Sequence, residues 1–509
     1  MSTDPKKPTQ KFVAIIGAGI SGIIQGSEVH RQKVCRRPEE EMVIFEKASG
    51  FGGVWHVNTY PGAACDIVSH IYSVSWFPKH DWSRRYSPQD EIRRYYNTIA
   101  HHYSLEKSTQ FRTFVKSAHW SDSDLLWHIC AVRDDIEYFY TSSILISCIG
   151  QLNRPKRAPI PGASLFTGPQ FHTADWDHSI DLTSKRVAVI GTGPSAGQVV
   201  PSIAPIVKEL HVFQRSPPHI LPRDDYIFSP LVKNLFRYVP GAQWLHHLYL
   251  YYDQEMGPYR SVHYGTKEHI GAAQASQDHM ERQIPPERQD LRDKFTPDYP
   301  FGCKRPLFLD NYYPTFLRSN VHLHTMPPIE ISETAVQGKE VDIIIWATGF
   351  QTQDLLGHVD VRGHGGVRLK EQWGDTAQAY LGTTVHGFPN LFFVYGAGTG
   401  LLWGSLTFMF ETQALWNVKM MKAVYAAGRK GIRVGYAVRE EREEEYNQQV
   451  QEKFEQLALG SSKCTSFYKN SKGMVTTNFP WRLADYWWRL LWIKWGEYEK
   501  WEKTIPMPV

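Results

Sequence analysis

The chain has only six cysteines in 509 residues, at positions 35, 65, 130, 148, 303 and 464, and no two of them form a C-x-x-C pair. Zinc sites and redox-active dithiols usually show such close spacing. The sequence therefore argues against a zinc protein and against an enzyme that works through a local dithiol.

Long apolar runs and basic runs are also missing. No stretch reaches the roughly 18 apolar residues of a membrane-spanning helix, and the first residues, MSTDPKKPTQ, lack the apolar core of a signal peptide. The formal charge of +4 is spread over 56 basic and 52 acidic residues without a basic stripe, so nucleic acid is not an expected partner. We expect a cytoplasmic protein in a reducing setting that acts on small molecules.

A glycine-rich turn stands near the start of the chain. The apolar run Phe12–Ile16 is typical of a buried strand, and it leads into Gly17-Ala-Gly19-Ile-Ser-Gly22 and then a helical segment. These glycines allow the backbone to approach a pyrophosphate at the helix N-terminus. A second apolar run, Met42–Phe45, ends in Glu46, whose carboxylate can accept hydrogen bonds from ribose hydroxyls. An unrelated glycine-rich loop is the alternative, but it does not explain this complete order of elements.

A second copy of this unit starts at Arg186–Ile190 and turns at Gly191-Thr192-Gly193-Pro-Ser195-Ala196. The strand that follows, Leu210–Phe213, is succeeded by Arg215 rather than by an acid. A cation at this place can pair with a ribose 2′-phosphate. The second unit is therefore predicted to bind NADP and the first, with Glu46, to bind FAD; a solvent-exposed arginine without a ligand is the alternative. Pro201 and Pro205 predict a kink or an early end of the helix.

The order of these patterns predicts an α/β fold with two Rossmann-like dinucleotide-binding domains, the second inserted into the first. A length of 509 residues suits two or three closely associated domains. Residues 225–295 lose strand character and predict a helical insertion in the NADP-binding domain. Apolar runs return at Val341–Trp346 and Leu391–Tyr395, and both are assigned to the first domain. The expected boundaries are 1–155 and 335–509 for a discontinuous FAD-binding domain, and 156–334 for the NADP-binding domain.

Four motifs point to a known family. They are Phe166-x-Gly168-x-x-x-His172-x-x-x-Trp176-Asp177, Gly52-Gly53-x-Trp55-x-x-x-x-Tyr60-Pro61-Gly62-x-x-x-Asp66, Tyr299–Pro306 and Ala347–Phe350. Together they resemble the signatures of the type I Baeyer–Villiger monooxygenases and their flavin-containing monooxygenase relatives, most of all the fungal members that act on natural-product intermediates. The match extends over nearly the whole chain. The resemblance implies a flavoprotein of secondary metabolism that uses FAD, NADPH and O2.

The resemblance also assigns site residues one by one. Around FAD it places Gly17, Gly19, Gly22, Glu46, Gly53, Val54, Trp55, Asp66, Tyr72 and Val115. Around NADP it places Gly191, Thr192, Gly193, Ser195, Ala196, Arg215, Ser216 and Lys304. Arg305 is expected over the flavin as the catalytic cation, with Asp66 paired to it as its orienting group. His172 belongs to the linker between the domains in this family, so we expect it to couple domain movements rather than to act as a base.

The reaction that the resemblance implies converts a ketone to an ester or lactone through a flavin C4a-peroxide. This route needs a group that stays positively charged near neutral pH, and arginine cannot lose its proton. The alternatives are N- or S-oxidation or hydroxylation of a natural product, and a plain interdomain salt bridge as the meaning of Asp66 and Arg305. A pyridine-nucleotide disulfide reductase shares the two dinucleotide-binding units but needs a dithiol beside the flavin. A non-catalytic flavin-binding protein would not be reduced by NADPH.

Two segments need separate interpretation. Leu401-Leu402-Trp403-Gly404 stands where similar fungal sequences usually carry a Gly-His step, so the indole is expected to reshape the substrate pocket. The C-terminal run Trp487–Trp495 interleaves indoles with basic residues, as interfacial membrane helices do. Because the resembling family ends in an aromatic segment that packs on the FAD domain, packing is the expectation here and membrane contact the alternative.

Overall fold

Two β-sheets form the framework of the molecule, and each contains one of the two glycine-rich turns. The computed structural model describes residues 7–505. Uncharged apolar runs form the inner parallel strands of both sheets, because these strands are covered on both faces. The side chains of the inner strands Ile343–Trp346 and Met42–Phe45 are buried throughout.

The first part of the chain builds most of the larger sheet. Its helices are α1 (Ile20–Arg31), α2 (Pro38–Glu41), α3 (Val54–Val57) and α4 (Gln89–His102). Its strands are β1 (Thr9–Ile16), β2 (Met42–Phe45), β3 (Thr109–Gln110), β4 (Phe114–Ser121), β5 (Leu126–Arg133) and β6 (Ile136–Ser147). Strand β1 lies between β2 and β6 and is parallel to both. Strands β4, β5 and β6 pair antiparallel and extend the sheet on one side.

The middle of the chain builds the second sheet and the helical insertion. Its helices are α5 (Pro194–Ile203), α6 (Pro230–Tyr238), α7 (Ala242–Ser261), α8 (Lys267–Gln283), α9 (Gln289–Phe295) and α10 (Tyr312–Thr315). Its strands are β7 (Gln170–His172), β8 (Arg186–Ile190), β9 (Glu209–Phe213), β10 (Ile220–Leu221), β11 (Leu307–Phe308), β12 (Val321–His324), β13 (Ala335–Val336), β14 (Lys339–Glu340) and β15 (Ile343–Trp346). Five of these strands form a parallel sheet in the order β12-β9-β8-β15-β7.

The last part of the chain returns to the larger sheet. Its helices are α11 (Leu369–Trp373), α12 (Leu406–Gly428), α13 (Glu440–Phe454) and α14 (Leu483–Leu490), and its strands are β16 (Asp360–Arg362), β17 (Leu391–Phe393), β18 (Ile432–Val438) and β19 (Tyr498–Thr504). Strand β17 pairs with β6, and β16 pairs with β4, which completes eight strands. Strands β18 and β19 form a separate antiparallel pair.

The structure confirms most of the expected elements and corrects one. Helix α5 ends at Ile203, two residues before Pro205, and the expected helical insertion is formed by α6 to α9. The strand at Ile343–Trp346 was assigned to the first domain, and that assignment is wrong. It pairs with β8 and β7 in the second sheet, so the second unit extends beyond the expected end at 334. A fully apolar run has the same sequence pattern in either sheet, and only the pairing distinguishes them.

Candidate active site

The first glycine-rich turn connects β1 to α1 with very little space around it. Gly17 has φ +103°, and a Cβ at Gly22 would lie 2.0 Å from the carbonyl oxygen of Gly17. Gly19 precedes the first helical residue, and no side chain caps the helix, so its first N–H groups are free for a ligand. The backbones of Gly19 and Gly53 touch at this point. The turn therefore fits a pyrophosphate held by backbone groups alone.

Glu46 stands at the end of β2 beside this turn, as the sequence predicted. It is buried, and its two carboxylate oxygens accept hydrogen bonds from the N–H groups of Ala18 and Ala48, each at 2.7 Å. Each oxygen has a second lone pair that can still accept a hydrogen bond from a ribose hydroxyl. The backbone contacts fix the carboxylate in place before any ligand binds.

An aromatic wall lies next to the first turn. The indole N–H of Trp55 donates to the Tyr72 hydroxyl at 3.0 Å, with the rings 5.8 Å apart and nearly perpendicular. Burial raises the pKa of Tyr72 well above its ordinary value, so the phenol stays protonated. Val54 begins α3 immediately after Gly53, and Val115 is buried in β4. These positions are consistent with the planar ring system for which they were predicted.

The second turn is more open. Gly191 follows β8, and its N–H bonds to the carbonyl of Phe213 at 3.0 Å, so the turn lies beside the end of β9. No atom lies within 4 Å of a Cβ built on Gly193. Ser195 and Ala196 occupy the first turn of α5, and Ala196 is fully buried. The Thr192 hydroxyl donates to the carbonyl of Ser216 at 3.2 Å, which connects the turn to the segment after β9.

Two cations lie at the mouth of the second turn. Lys304 Nζ donates to the Ser216 hydroxyl at 2.7 Å and lies 4.1 Å from the centre of the Tyr299 ring. Burial lowers the pKa of Lys304, the charge of Arg215 lowers it further, and Asp298 opposes this shift. Among residues 7–505, no carboxylate lies within 4.0 Å of the nitrogens of either cation. Two neighbouring cations without a paired acid fit a phosphate group.

Asp66 and Arg305 form a bidentate ion pair, although they lie in different parts of the sequence. Arg305 Nε donates to Asp66 Oδ2 at 2.6 Å, and Nη2 donates to Oδ1 at 3.1 Å. Nη1 donates to the carbonyl of Leu401 at 3.1 Å. The burial of Arg305 acts to lower its pKa, but the charge and hydrogen bonds of Asp66 outweigh this and raise it, so the guanidinium stays charged. Three of its five N–H groups are used, and the remaining N–H groups are free for a ligand.

Two tyrosines that the sequence did not single out lie beside this pair. Burial raises the pKa of Tyr468 to about 12, while Arg305 lowers it and Asp66 raises it. Tyr395 has φ +75°, and its N–H donates to Gln413 Oε1 at 2.9 Å. Such a backbone conformation is costly for a bulky residue and is frequent at functional sites. Both tyrosines lie near enough to Arg305 for its charge to act on their pKa, and no local pattern in the sequence marks them.

A disulfide connects the two segments that carry these groups. Cys303 and Cys464 are bonded and buried, with Cys303 next to Lys304 and Cys464 four residues before Tyr468. The two cysteines are 161 residues apart, so no close spacing in the sequence predicts this bond. Disulfides are rare in reducing compartments, so the expectation of a reducing setting did not anticipate it. The bond fixes the Lys304–Arg305 segment to the segment that carries Tyr468.

His172 lies apart from the ion pair, in β7 of the second sheet. Its Nδ1 accepts a hydrogen bond from the N–H of Ala174 at 3.0 Å, and its ring packs on Phe350 at 5.7 Å. Burial lowers its pKa to about 4, so the ring is neutral near pH 7. His172 lies at the end of the segment that enters the second sheet, and Phe350 belongs to the segment that leads back to the larger sheet. The contact between their rings therefore connects the two segments that link the sheets. Its position supports the predicted role in coupling the domains.

Trp403 is buried two residues after Leu401, where the sequence departs from the family pattern. Its ring packs against Tyr259 of α7 with centroids 5.5 Å apart. The helical insertion therefore contributes an aromatic wall close to the Leu401 carbonyl that holds Arg305. In the described part of the chain, no helix is both long and apolar enough to cross a bilayer.

Comparisons with known proteins agree with this geometry. The model of the flavin-binding monooxygenase-like family matches residues 10–233. The chain is 33% identical over 501 residues to the FAD-binding monooxygenase ktnD of Aspergillus niger, covering 96% of this chain and 82% of that protein. It is 35% identical to a Baeyer–Villiger monooxygenase of Pseudomonas aeruginosa, covering 92% and 87%.

Solved structures show the same fold. A steroid monooxygenase bound to NADP superimposes with a TM-score of 0.84 at 26% identity, covering 97% of this chain and 99% of that one. The complex of OTEMO with FAD and NADP gives a TM-score of 0.86 at 24% identity, covering 97% and 100%. Family relatives thus match the chain over almost its whole length. The chain belongs to the flavin-binding monooxygenase-like family and, within it, to the Baeyer–Villiger monooxygenases.

Proposed function

We propose that this enzyme inserts one oxygen atom from O2 into a ketone to give an ester or a lactone, with FAD and NADPH as its cofactors. FAD, when bound, supplies the activation of O2 after it accepts hydride from NADPH. The single observation that supports this reaction best is the charged Arg305, held by Asp66 and Leu401 with N–H groups to spare.

The residues of the first turn would hold FAD. The free N–H groups at the start of α1 bind the pyrophosphate, and Glu46 accepts hydrogen bonds from the ribose. Trp55 and Tyr72, which are hydrogen-bonded to each other, would contact the flavin ring system. Because Glu46 and the turn are enclosed by backbone contacts, we infer that FAD stays bound throughout turnover.

The residues of the second turn would hold NADPH. Arg215 and Lys304 bind the ribose 2′-phosphate through charge-assisted hydrogen bonds, and Thr192, Ser195 and Ser216 lie along the pyrophosphate and ribose. NADH lacks this phosphate. The two cations therefore select NADPH over NADH.

Arg305 would act on the ketone oxygen. Negative charge develops on this oxygen when the carbonyl carbon is attacked, and a donor stabilises it only if it keeps its own proton. Asp66 fixes the direction of the guanidinium and keeps its pKa raised. Hydrogen bonds that involve a charged group contribute about 1.5–3 kcal/mol each, so losing Arg305 removes much of this stabilisation.

The substrate class is proposed from the apolar side chains next to the segment that holds Arg305. Trp403 and Tyr259 are aromatic, and Leu401 and Leu402 are buried beside them. These side chains suit a bulky lipophilic ketone, such as an intermediate of secondary metabolism in line with the resemblance to fungal members.

Incubation of the purified enzyme with NADPH, ¹⁸O2 and a panel of polycyclic and polyketide ketones tests this function. We expect an ester or lactone that carries one ¹⁸O atom, with NADPH consumed in proportion. The same incubation with an amine and a sulfide serves as the comparison. Oxygen incorporated only into the nitrogen or sulfur substrate would replace the proposed reaction with N- or S-oxidation. A flavin that NADPH fails to bleach would contradict any monooxygenase function.

A further inference from the structure

The insertion helix α7 and the segment that begins with α14 expose many large hydrophobic side chains. We call nine of them the aromatic face. Five lie on α7 with exposed fractions of 54–67%: Trp244, Leu245, Leu248, Tyr249 and Tyr252. Four lie on α14 and the turn after it with exposed fractions of 44–61%: Trp487, Trp488, Trp492 and Trp495. Single exposed apolar residues are common on proteins, but a continuous group of this kind marks an interaction site.

The two parts of the aromatic face meet at a contact between the helices. Glu255 of α7 accepts a hydrogen bond from the N–H of Ala484 at the start of α14, at 3.2 Å. Residues three or four apart share one side of a helix. Tyr252 therefore lies one turn from the contact on α7, and Trp488 lies one turn from it on α14. The ring of Trp488 then contacts Trp492 with centroids 5.3 Å apart.

Both parts are held on ordered helices. On α14, Leu483, Tyr486 and Leu490 are buried, and the Tyr486 hydroxyl donates to the carbonyl of Leu381 at 2.8 Å. On α7, Tyr251 packs on Phe408 of α12 with ring centroids 5.5 Å apart. One side of the C-terminal segment thus packs on the FAD-binding half, as expected from the sequence, and the other side faces outward.

The charges near the aromatic face are mostly positive. Arg237, Arg260 and Arg489 have no carboxylate within 4.0 Å among residues 7–505. Of the acids on these helices, Asp485 pairs with Arg482 and Glu255 is used at the start of α14. Only Asp253 remains without such a partner. Tryptophan and tyrosine rings favour the membrane–water interface, and arginine and lysine are attracted to anionic lipid headgroups.

We propose that the aromatic face docks on an anionic lipid surface. A second copy of the chain is a poorer occupant, because a symmetric contact would bring like charges from both copies together. The same helix α7 carries Tyr259, which packs on Trp403, two residues from the Leu401 whose carbonyl holds Arg305. A lipophilic ketone dissolved in the bilayer would therefore enter close to Arg305. This last point rests on the proposed function, whereas the docking itself does not.

Co-sedimentation of the FAD-loaded, full-length enzyme with vesicles tests the proposal. One vesicle preparation is phosphatidylcholine alone, and the other contains about 30% phosphatidylserine, because anionic lipid adds attraction for basic residues. We expect sedimentation with the anionic vesicles, weaker sedimentation with the neutral ones, and partial release by added salt. Absence of sedimentation with both preparations overturns the proposal.

Two double variants address the face directly. Trp488→Glu/Trp492→Glu, on α14 and the turn after it, and Tyr249→Glu/Tyr252→Glu, on α7, should each weaken vesicle binding by about tenfold or more, since buried apolar area drives interfacial binding. The matched control is Leu165→Glu/Ile329→Glu, whose side chains are 60% and 64% exposed in the NADP-binding half. It should bind vesicles as the unchanged enzyme does. Flavin content and melting temperature confirm folding, and if one double variant fails to fold the other decides.

The remaining outcomes are also decisive. Undiminished vesicle binding by a folded face variant overturns the proposal. The proposal is also overturned if the enzyme never binds vesicles and is a dimer on a sizing column that the face variants convert to a monomer. The aromatic face would then bind a second copy of the chain. Failure of the proposed function is recognised separately, as absence of ester from a water-soluble ketone without vesicles.

Discussion

The two glycine-rich turns have the same local fold but very different surroundings. At the first turn, a Cβ at Gly22 would lie 2.0 Å from a carbonyl oxygen, and Glu46 is fixed by two backbone N–H groups at 2.7 Å. At the second turn, a Cβ at Gly191 would also lie close to a carbonyl oxygen, at 2.4 Å, but nothing lies within 4 Å of a Cβ at Gly193. Ala196 stands in the place of Gly22, and Arg215 is exposed beside Lys304. The first site thus contains a buried acid, whereas the second contains two cations, one of which is exposed.

This difference shows how one strand–turn–helix unit can serve two purposes. The turn itself offers N–H groups and the positive end of a helix dipole to any pyrophosphate. Its neighbours decide which dinucleotide binds and for how long. We infer that the first site keeps FAD, while the second exchanges NADPH and NADP during each turnover.

The largest expected effect is the loss of flavin when a methyl group is added to the first turn. Gly22→Ala should reduce the flavin bound per protein by about tenfold or more, because the new Cβ meets the backbone of a turn that cannot move. Gly193→Ala at the second turn serves as the comparison, although it corresponds to Gly19 and the counterpart of Gly22 is already Ala196. It should retain its flavin while raising the KM for NADPH. The ratio of flavin to protein absorbance measures the first effect. Full flavin content in Gly22→Ala would show that the first turn is not closed.

Removing one cation should affect the second turn alone. Arg215→Ala is expected to raise the KM for NADPH by about 10- to 100-fold, since a charge-assisted hydrogen bond contributes about 1.5–3 kcal/mol. The KM for NADH should hardly change, because NADH has no 2′-phosphate. Steady-state kinetics with both nucleotides measure the difference. Equal increases for NADPH and NADH would mean that Arg215 does not bind the phosphate.

The pH dependence of the second site should follow Lys304. Its pKa is lowered from 10.5, so it loses its charge at a lower pH than an exposed lysine. The KM for NADPH is therefore expected to increase as the pH rises toward the alkaline range. Lys304→Arg keeps its charge over this range and should move the increase to higher pH. An identical pH profile for the variant and the unchanged enzyme would assign the dependence to another group.

The smallest expected effect is that of opening the disulfide. Cys303→Ser/Cys464→Ser should raise the KM for NADPH by less than about tenfold, or 1.4 kcal/mol, because Lys304 loses a constraint but keeps its bond to Ser216. Loss of a disulfide should also lower the melting temperature. FAD content should stay the same. A loss of flavin would show that the bond supports the first site as well.

Local patterns in the sequence predicted the framework well. Met42–Phe45 and Arg186–Ile190 are strands with the expected bounds, since each is a short apolar run between polar segments. Asp66 and Arg305 were predicted to pair, and they do. These successes depend on patterns that lie within a few residues or belong to a shared family motif.

Contacts between distant segments were beyond such patterns. Ile343–Trp346 has the composition of an inner strand, but its sheet is decided by pairing with β8. Tyr395 and Tyr468 come near Arg305 only after three parts of the chain fold together. Cys303 and Cys464 are ordinary single cysteines until their segments become neighbours. These features belong to the tertiary structure and have no local signal.

We propose that a charged Arg305, oriented by Asp66, makes the reaction a ketone-to-ester oxidation. The most direct test measures NADPH consumption and ¹⁸O-labelled ester together in the unchanged enzyme, in Arg305→Lys and in Arg305→Ala. We predict that Arg305→Ala retains its flavin and part of its NADPH consumption but forms no ester, and that Arg305→Lys forms some ester. Undiminished ester formation by Arg305→Ala would contradict the proposed role of Arg305 in ester formation.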